Sequence, residues 1–185
     1  VSSRVNASAS TSAPARPTAQ PEESLRDLRH DETREKMSRR RRTIAKNLIQ
    51  AQQTAAMLTT FNEVDMSAVM EFRSRKKEAF KEKYGVSLGI NSFFVKAAVG
   101  ALKVHPRLNA EIEGDHVIDK DYFDVGIAVG SEDGLVVPVL RNVGNMTMAQ
   151  IEQSIKNYAK QVQEGTLPIE AIRGGSFTIT NGGVF

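Results

Sequence analysis

Histidine, the most common general base in proteins, occurs three times in the 185-residue sequence, as His30, His105 and His116. No two of them have the spacing of a metal-binding pair, and the chain has no cysteine to supply thiolate ligands. His30 lies in a charged stretch, His105 precedes Pro106 at a predicted helix end, and His116 follows a Gly-Asp turn. Each histidine is therefore interpreted as solvated or structural, and no metal site is predicted.

Other catalytic signatures are also missing from the sequence. There is no phosphate-binding Gly-x-x-x-x-Gly-Lys loop and no Gly-x-Gly-x-x-Gly fingerprint, and the lack of cysteine excludes disulfides and thiol nucleophiles. The acidic residues are scattered along predicted solvated faces. Asp121 and Asp124 precede a predicted strand and are interpreted as ordinary hydrogen-bonding residues.

The net charge of +3 conceals an uneven distribution of charge. Residues 1–50 contain eleven Lys/Arg and six Asp/Glu, about +5, and the remainder contains fourteen and sixteen, about −2. The run Arg39–Arg42 lies where cations oppose a helix dipole, so acidic partners are expected for it. The run has no interleaved aromatic residue and no second basic cluster, so nucleic-acid binding is not predicted. Steeply salt-dependent DNA binding that needs these arginines would contradict that interpretation.

Residues 1–20 consist almost entirely of small and polar residues with proline. Such a composition buries too little apolar surface to offset chain entropy, so disorder is predicted. The absence of acids before Glu22 also suits a transit peptide, but the proline and alanine content favours an interdomain linker. No secretory signal and no run long enough to span a membrane is found.

Periodicity and capping residues predict the elements that must position any site. Ser38, Ser67 and Thr147 are predicted to cap helices, of which the second runs through Lys83 to a stop at Gly85 and the third runs through Gly165; a further helix is predicted at 91–104. The predicted strands are 57–67, two short ones within 109–120, DVGIAVG, GLVVPVL and 176–181. The order of helices and strands indicates an α/β class with a mixed sheet and helices packed on it.

Five stretches together resemble a known family. They are MSRRRRTIAKNLIQAQQTAAMLTTFNEVDMS, LGINSFFVKAAVGALKVHPRLNAEI, YFDVGIAV, GLVVPVLRNV and SFTITNGGVF. They resemble the catalytic domain of the 2-oxoacid dehydrogenase acyltransferases over about residues 34–185. AMLTTFNEVDMS and TNGGVF are similar to the dihydrolipoamide succinyltransferase branch, which serves 2-oxoglutarate dehydrogenase complexes of the tricarboxylic acid cycle.

The resemblance implies a chloramphenicol acetyltransferase-like fold, trimers with active sites between subunits, and a core of about twenty-four chains. It implies transfer of a succinyl group between a dihydrolipoyl thiol and coenzyme A, with the lipoyl group on a domain outside this chain. Partners would be 2-oxoglutarate dehydrogenase and dihydrolipoamide dehydrogenase, in the bacterial cytoplasm or mitochondrial matrix. Residues 1–33 are similar to the linker that precedes the catalytic domain. Residues that bind coenzyme A are not identified.

The resemblance assigns one catalytic residue in this chain. The family places a Ser or Thr hydroxyl before an Asn to stabilise the oxyanion, and Thr180-Asn181 occupies that place. Without the resemblance, Thr180 would be interpreted as an ordinary strand residue. The family's general base lies in a His-x-x-x-Asp-Gly signature, but the sole Asp-Gly pair here is Asp133-Gly134, with Val129 where the histidine would be.

The sequence opens on Val1 and ends on the apolar pair Val184 and Phe185, so we expect a piece of a longer protein that stops before the general base. Alone, this piece is expected to be inactive and, with its sheet incomplete, to aggregate or fold loosely. The alternative is a non-catalytic core or adaptor subunit of a 2-oxoacid dehydrogenase complex. One departure from the family is SEDGL at Ser131–Leu135, where Thr-Pro-Arg-Gly-Leu is usual.

Overall fold

The computed structural model describes residues 26–131 and 134–182. Most of the predicted linker, the acidic pair of the SEDGL stretch and the last three residues lie outside this part of the chain. The chain divides into two compact units, residues 1–61 and residues 62–185. The predicted boundary between a linker and a catalytic domain at residues 33 and 34 stays a prediction.

The first unit contains helix α1, Arg39–Thr54. The predicted cap is confirmed, because the Ser38 hydroxyl accepts a hydrogen bond from the Arg41 amide at 3.2 Å. The apolar stripe of this helix is present but exposed, with Leu48 62% and Ile49 55% accessible. Among the described residues no ion pair is found for Arg39, Arg41 or Arg42, so the acidic partners expected for them are not seen.

The predicted strand 57–67 is wrong. Residues 56–66 have no regular secondary structure, and Leu58 and Phe61 are 89% and 93% exposed. A strand requires a partner for its backbone groups, and no described strand pairs with this segment. The alternation of residue types therefore indicated an extended chain, but an extended chain becomes a strand only when a second strand accepts and donates its backbone hydrogen bonds.

Helix α2, Ser67–Tyr84, follows this segment. Its N-cap residue is Met66 rather than the predicted Ser67, which is the first residue of the helix; the Asp65 carboxylate accepts a hydrogen bond from the Ser67 amide at 2.9 Å. Hydrogen bonding by the Ser67 side chain and then by the Ser67 amide lowers the pKa of the Asp65 carboxyl below its ordinary value. The predicted stop is confirmed, because Gly85 has a φ of +69° and donates its amide to the Lys81 carbonyl at 2.8 Å.

Helices α3, Asn91–Val104, and α4, Met148–Gln163, form the helical part of the core. The predicted cap of α4 is confirmed as a capping box, in which the Thr147 hydroxyl accepts from the Gln150 amide at 3.3 Å. The main core cluster is apolar and drawn from both helices and the strands beside them: Val95, Val99, Val125, Ile127, Leu140, Val143 and Ile151.

Seven short strands form three small sheets within the described residues. Strands β1, Ala110–Glu113, and β2, His116–Asp119, make the predicted hairpin. Strands β4, Val129–Ser131, and β5, Gly134–Val136, form a second antiparallel pair. The third sheet places β3, Val125–Ile127, between antiparallel β6, Val139–Leu140, and parallel β7, Phe177–Ile179.

The predicted strands DVGIAVG and GLVVPVL each divide into two strands of different sheets. Pro138 explains the second break, because proline has no amide to donate to a ladder, and its carbonyl instead accepts from Ile127 at 2.9 Å. The expectation of a mixed sheet with helices packed on it is confirmed, since β3 has one parallel and one antiparallel neighbour.

Candidate active site

Thr180, the residue implied by the family resemblance, directly follows β7. Its side chain is exposed, and its hydroxyl forms no hydrogen bond with the described part of the chain. A hydroxyl in this state can donate to a ligand without first breaking an internal bond. Thr180 therefore has the accessibility that an oxyanion donor requires.

Strand β7 is held in place by its parallel pairing with β3. Phe177, Thr178 and Ile179 lie opposite Val125, Gly126 and Ile127, respectively. The ladder continues to the residue before Thr180, because the Ala128 amide donates to the Ile179 carbonyl at 3.1 Å. Thr180 thus follows an edge strand of the described sheet, and pairing with the central strand β3 holds that edge strand in place.

The close approach of β3 to its neighbours depends on Gly126. A Cβ atom at this position would lie 2.8 Å from a Val137 methyl carbon and 3.3 Å from the Thr178 hydroxyl oxygen. Glycine is the residue that leaves room for both contacts. Gly126 therefore sets how closely β7 can pack beside β3.

Asp124 organises the end of the sheet opposite Thr180. Its carboxylate is 12% exposed and accepts from Arg141 Nη1 at 2.9 Å and from the Asn142 amide at 2.7 Å. Its backbone carbonyl accepts from the Ser176 amide at 2.8 Å and the Ser176 hydroxyl at 3.2 Å. One residue thus connects the starts of β3 and β7 with the end of β6.

Arg141 extends this network into the segment before β7. Its guanidinium donates to the carbonyl oxygens of Glu170 at 3.1 Å, Gly174 at 3.3 Å and Arg173. The planar guanidinium has five donors in a fixed arrangement, which suits several carbonyls and one carboxylate at once. Arg141 was not singled out from the sequence, and Asp124 was interpreted only as an ordinary hydrogen-bonding residue.

None of the three histidines belongs to β3, β6 or β7, the strands of the sheet that precedes Thr180. His30 is exposed in the first unit, His105 ends α3 by donating its amide to the Ala101 carbonyl at 2.9 Å, and His116 begins β2 in the exposed hairpin. Across residues 26–131 and 134–182 no group of three potential metal ligands is found. None of the histidines is thus placed in the β6-β3-β7 sheet as a base for Thr180.

Asp133, in the Asp-Gly pair, lies outside the described residues. Val129, which stands where the family's histidine would be, begins β4 and is paired with Val136.

Of the helices that the structure describes, none combines the length and apolar character that a membrane crossing would need.

Comparison with known proteins gives one consistent family. The sequence model of the 2-oxoacid dehydrogenases acyltransferase (catalytic domain) matches residues 29–185. The succinyltransferase component of the Bacillus subtilis 2-oxoglutarate dehydrogenase complex is 57% identical over 151 residues. That match covers 82% of this chain and 36% of the relative, so the chain spans little more than a third of the relative's length.

Solved structures show the same relationship. A probable dihydrolipoamide acetyltransferase from Listeria monocytogenes matches with a TM-score of 0.76 and 30% identity, over 82% of this chain and 64% of that one. The cubic core of a pyruvate dehydrogenase multienzyme complex matches with a TM-score of 0.76 and 30% identity, over 81% and 62%. The chain therefore belongs to the acyltransferase family of the 2-oxoacid dehydrogenases, and its described fold is that of the family's catalytic domain.

Proposed function

We propose that the intact protein containing this chain is a dihydrolipoyllysine-residue succinyltransferase of a 2-oxoglutarate dehydrogenase complex. The 57% identity to the Bacillus subtilis succinyltransferase supports this choice among the family's acyl groups. Residues 34–185 would form part of its catalytic domain. The substrates would be succinyl-CoA or coenzyme A and a dihydrolipoyl arm on another domain.

The observation that carries the proposal is the Thr180 hydroxyl directly after β7, which is exposed and has no hydrogen bond within the described residues. In acyl transfer, an attacking thiolate adds to a thioester carbonyl, and the carbonyl oxygen becomes an oxyanion. Thr180 would donate its hydroxyl proton in a hydrogen bond to that oxygen. When the intermediate collapses, the carbonyl re-forms, and the departing thiolate takes up the proton that the attacking thiol gave up.

The proton on the attacking thiol needs a general base that the described histidines do not provide. The 185-residue sequence contains no His-x-x-x-Asp-Gly signature. We therefore propose that the base is supplied from outside this chain's sequence and that the 185 residues alone do not catalyse transfer. Assembly into a core, through which a neighbouring subunit would complete the site, is compatible with the cubic core among the structural matches.

The test uses the protein read from the intact gene. Thr180→Val removes the hydroxyl with little change in volume, and kcat for succinyl exchange between succinyl-CoA and dihydrolipoamide should fall about a hundredfold. Thr180→Ser keeps the hydroxyl and serves as the matched control, with kcat within about threefold of the wild type. Unchanged kcat in Thr180→Val would remove Thr180 from the mechanism.

The alternative is a core or adaptor subunit without activity, which the absence of the histidine signature from the intact gene would favour. An intact gene product that assembles with 2-oxoglutarate dehydrogenase but exchanges no succinyl groups would establish this alternative. An active gene product would exclude it.

A further inference from the structure

We propose that Arg141 is a positioning residue for Thr180. Through Asp124 and three backbone carbonyls, it fixes the register in which β7 leaves the sheet and presents the Thr180 hydroxyl. The inference rests on the proposed function, in which that hydroxyl stabilises an oxyanion.

The first support is the span of the Arg141 contacts along the chain. One guanidinium joins Asp124, which precedes β3, to the carbonyls of Glu170, Arg173 and Gly174, which precede β7. The three carbonyl contacts connect Arg141 with residues 29 to 33 positions further along the sequence. Arg141 thus restrains the approach of the β7 segment before its ladder with β3 begins.

The second support is the double use of Asp124. Its carboxylate accepts a hydrogen bond from Arg141 Nη1 at 2.9 Å, while its backbone carbonyl accepts one from the Ser176 amide at 2.8 Å. Ser176 is the residue before β7, so the hydrogen bond to Asp124 is where the register of that strand is set. If Arg141 were removed, a largely buried carboxylate would lose its counter-charge, and Asp124 would no longer be held in this orientation.

The third support is that the register of β7 decides on which face of the strand the Thr180 side chain lies. Side chains alternate between the two faces of a strand, so a slip of one residue would turn Thr180 to the opposite face. Even a displacement of about 1 Å in a catalytic group can cost about a hundredfold in rate. The contacts around Arg141 and Asp124 are therefore placed to govern kcat although Arg141 need not touch substrate.

The test compares Arg141→Ala with the matched control Arg107→Ala in the protein read from the intact gene. Arg107 is exposed, and its partner Asp119 lies 3.5 Å away in the hairpin. For Arg141→Ala we expect kcat of succinyl exchange to fall between about tenfold and a hundredfold, with both KM values within about twofold. Added guanidinium chloride should restore part of kcat, whereas the same concentration of sodium chloride should not. Arg107→Ala should leave all these values unchanged.

Amide hydrogen exchange gives a readout that does not depend on activity. Protection of the Ser176 and Phe177 amides, which donate to the Asp124 carbonyl, should fall in Arg141→Ala and stay at the wild-type level in Arg107→Ala. If Arg141→Ala does not fold, Asp124→Asn keeps the shape of the network while removing the charge, and the same loss of protection and kcat is expected. Unchanged protection in a folded variant would overturn the proposal whatever the activity.

A double-mutant comparison separates this inference from the proposed function. If Arg141 acts through Thr180, then Arg141→Ala should lower kcat much less in the Thr180→Val background than in the wild type. Two losses that multiply would show that Arg141 acts independently of Thr180 and would overturn the positioning role. A Thr180→Val variant with wild-type kcat would instead refute the proposed role of Thr180 itself.

Discussion

The Glu152 side chain on α4 joins two helices of the described fold through one hydrogen bond. Its carboxylate accepts from the Ser92 amide at 3.2 Å, at the start of α3, where the capping residue Ile90 offers no side-chain acceptor. A carboxylate at a helix N-terminus satisfies an open amide and is favoured by the helix dipole. Glu152 therefore acts as a cap supplied by another helix.

We expect Glu152→Ala to lower the free energy of unfolding by about 1 kcal/mol, because the first turn of α3 loses its acceptor. Urea denaturation of the variant measures this change. Lys156→Ala is the control on the exposed side of the same helix and should stay within about 0.5 kcal/mol of the wild type. Equal stabilities for the two variants would contradict the capping role.

Lys120 offers a second test at the residue scale. Its side chain is 10% exposed, and its ion pair with Glu111 raises its pKa above the ordinary value of 10.5. A raised pKa means that the folded state holds this proton more tightly, so the stabilisation is complete below pH 10.5 and is lost as pH rises through the folded value.

The difference in stability between the wild type and Glu111→Gln should therefore be constant near neutral pH and shrink at alkaline pH. Urea midpoints measured for both proteins, from neutral pH to well above 10.5, check this expectation. A difference that grew with alkaline pH would mean that the pair does not favour protonated Lys120.

The residues of the site were predicted unequally. The role of Thr180 stays a prediction from the family resemblance alone, because an exposed threonine beside a turn has no chemical signature of its own. Arg141 was missed because its partners lie 17 to 33 positions away in sequence and no local pattern records them. Asp124 was considered in the sequence, but its hydrogen bond with Arg141 depends on the pairing of β3 with β6, which no local pattern predicts.

At the scale of elements, Gly126 shows how one strand sets the position of its neighbours. We expect Gly126→Ala to lower the free energy of unfolding by about 1–3 kcal/mol, because the added methyl would meet Val137 at 2.8 Å. Gly100→Ala is the control, since Gly100 lies exposed within α3 with no heavy atom within 4 Å of the added carbon. That change should instead stabilise the protein by about 1 kcal/mol, because alanine favours helices.

Both Gly126→Ala and Gly100→Ala are measured by thermal or urea unfolding monitored by circular dichroism. A Gly126→Ala protein as stable as the wild type would show that Val137 and Thr178 can move away from the added methyl without cost.

Helices were predicted better than strands, for a local reason. The caps at Ser38, Thr147 and Gly85 act within three or four residues, so the sequence alone specifies where those helices begin or end. Strands depend on distant partners, and the alternation at 57–67 predicted a strand that no described segment completes. The single run GLVVPVL became two strands because Pro138 interrupts the ladder.

At the scale of the whole molecule, the sequence gives the uneven charge distribution directly, the order of helices and strands predicted the mixed class, and the resemblance predicted the family. The tertiary arrangement of three small sheets was not predictable from the element order, since β3 pairs with the distant β7 rather than with β4. Large apolar side chains also remain exposed, Leu58 and Phe61 above all.

We expect the 185-residue chain alone to exchange no succinyl groups between succinyl-CoA and dihydrolipoamide, because its sequence lacks the His-x-x-x-Asp-Gly signature. It should also scatter light as aggregates, since exposed apolar surface favours association. Sedimentation and an exchange assay on the purified chain check both expectations, with the protein from the intact gene as the active control. Turnover by the chain alone, or a monodisperse sample with a cooperative melt, would contradict them.

The parallel pairing of β7 with β3 has a consequence for how the protein is made. Asp124 and Ser176 are 52 positions apart, so the ribosome must add that many residues before the two can meet. At about 5–20 residues per second, nascent β3 waits between about 3 and 10 seconds with one edge open. Another extended segment, or a chaperone, can occupy that edge first. The speed of translation between these two codons therefore helps to decide what fraction of newly made chains acquires an ordered Thr180.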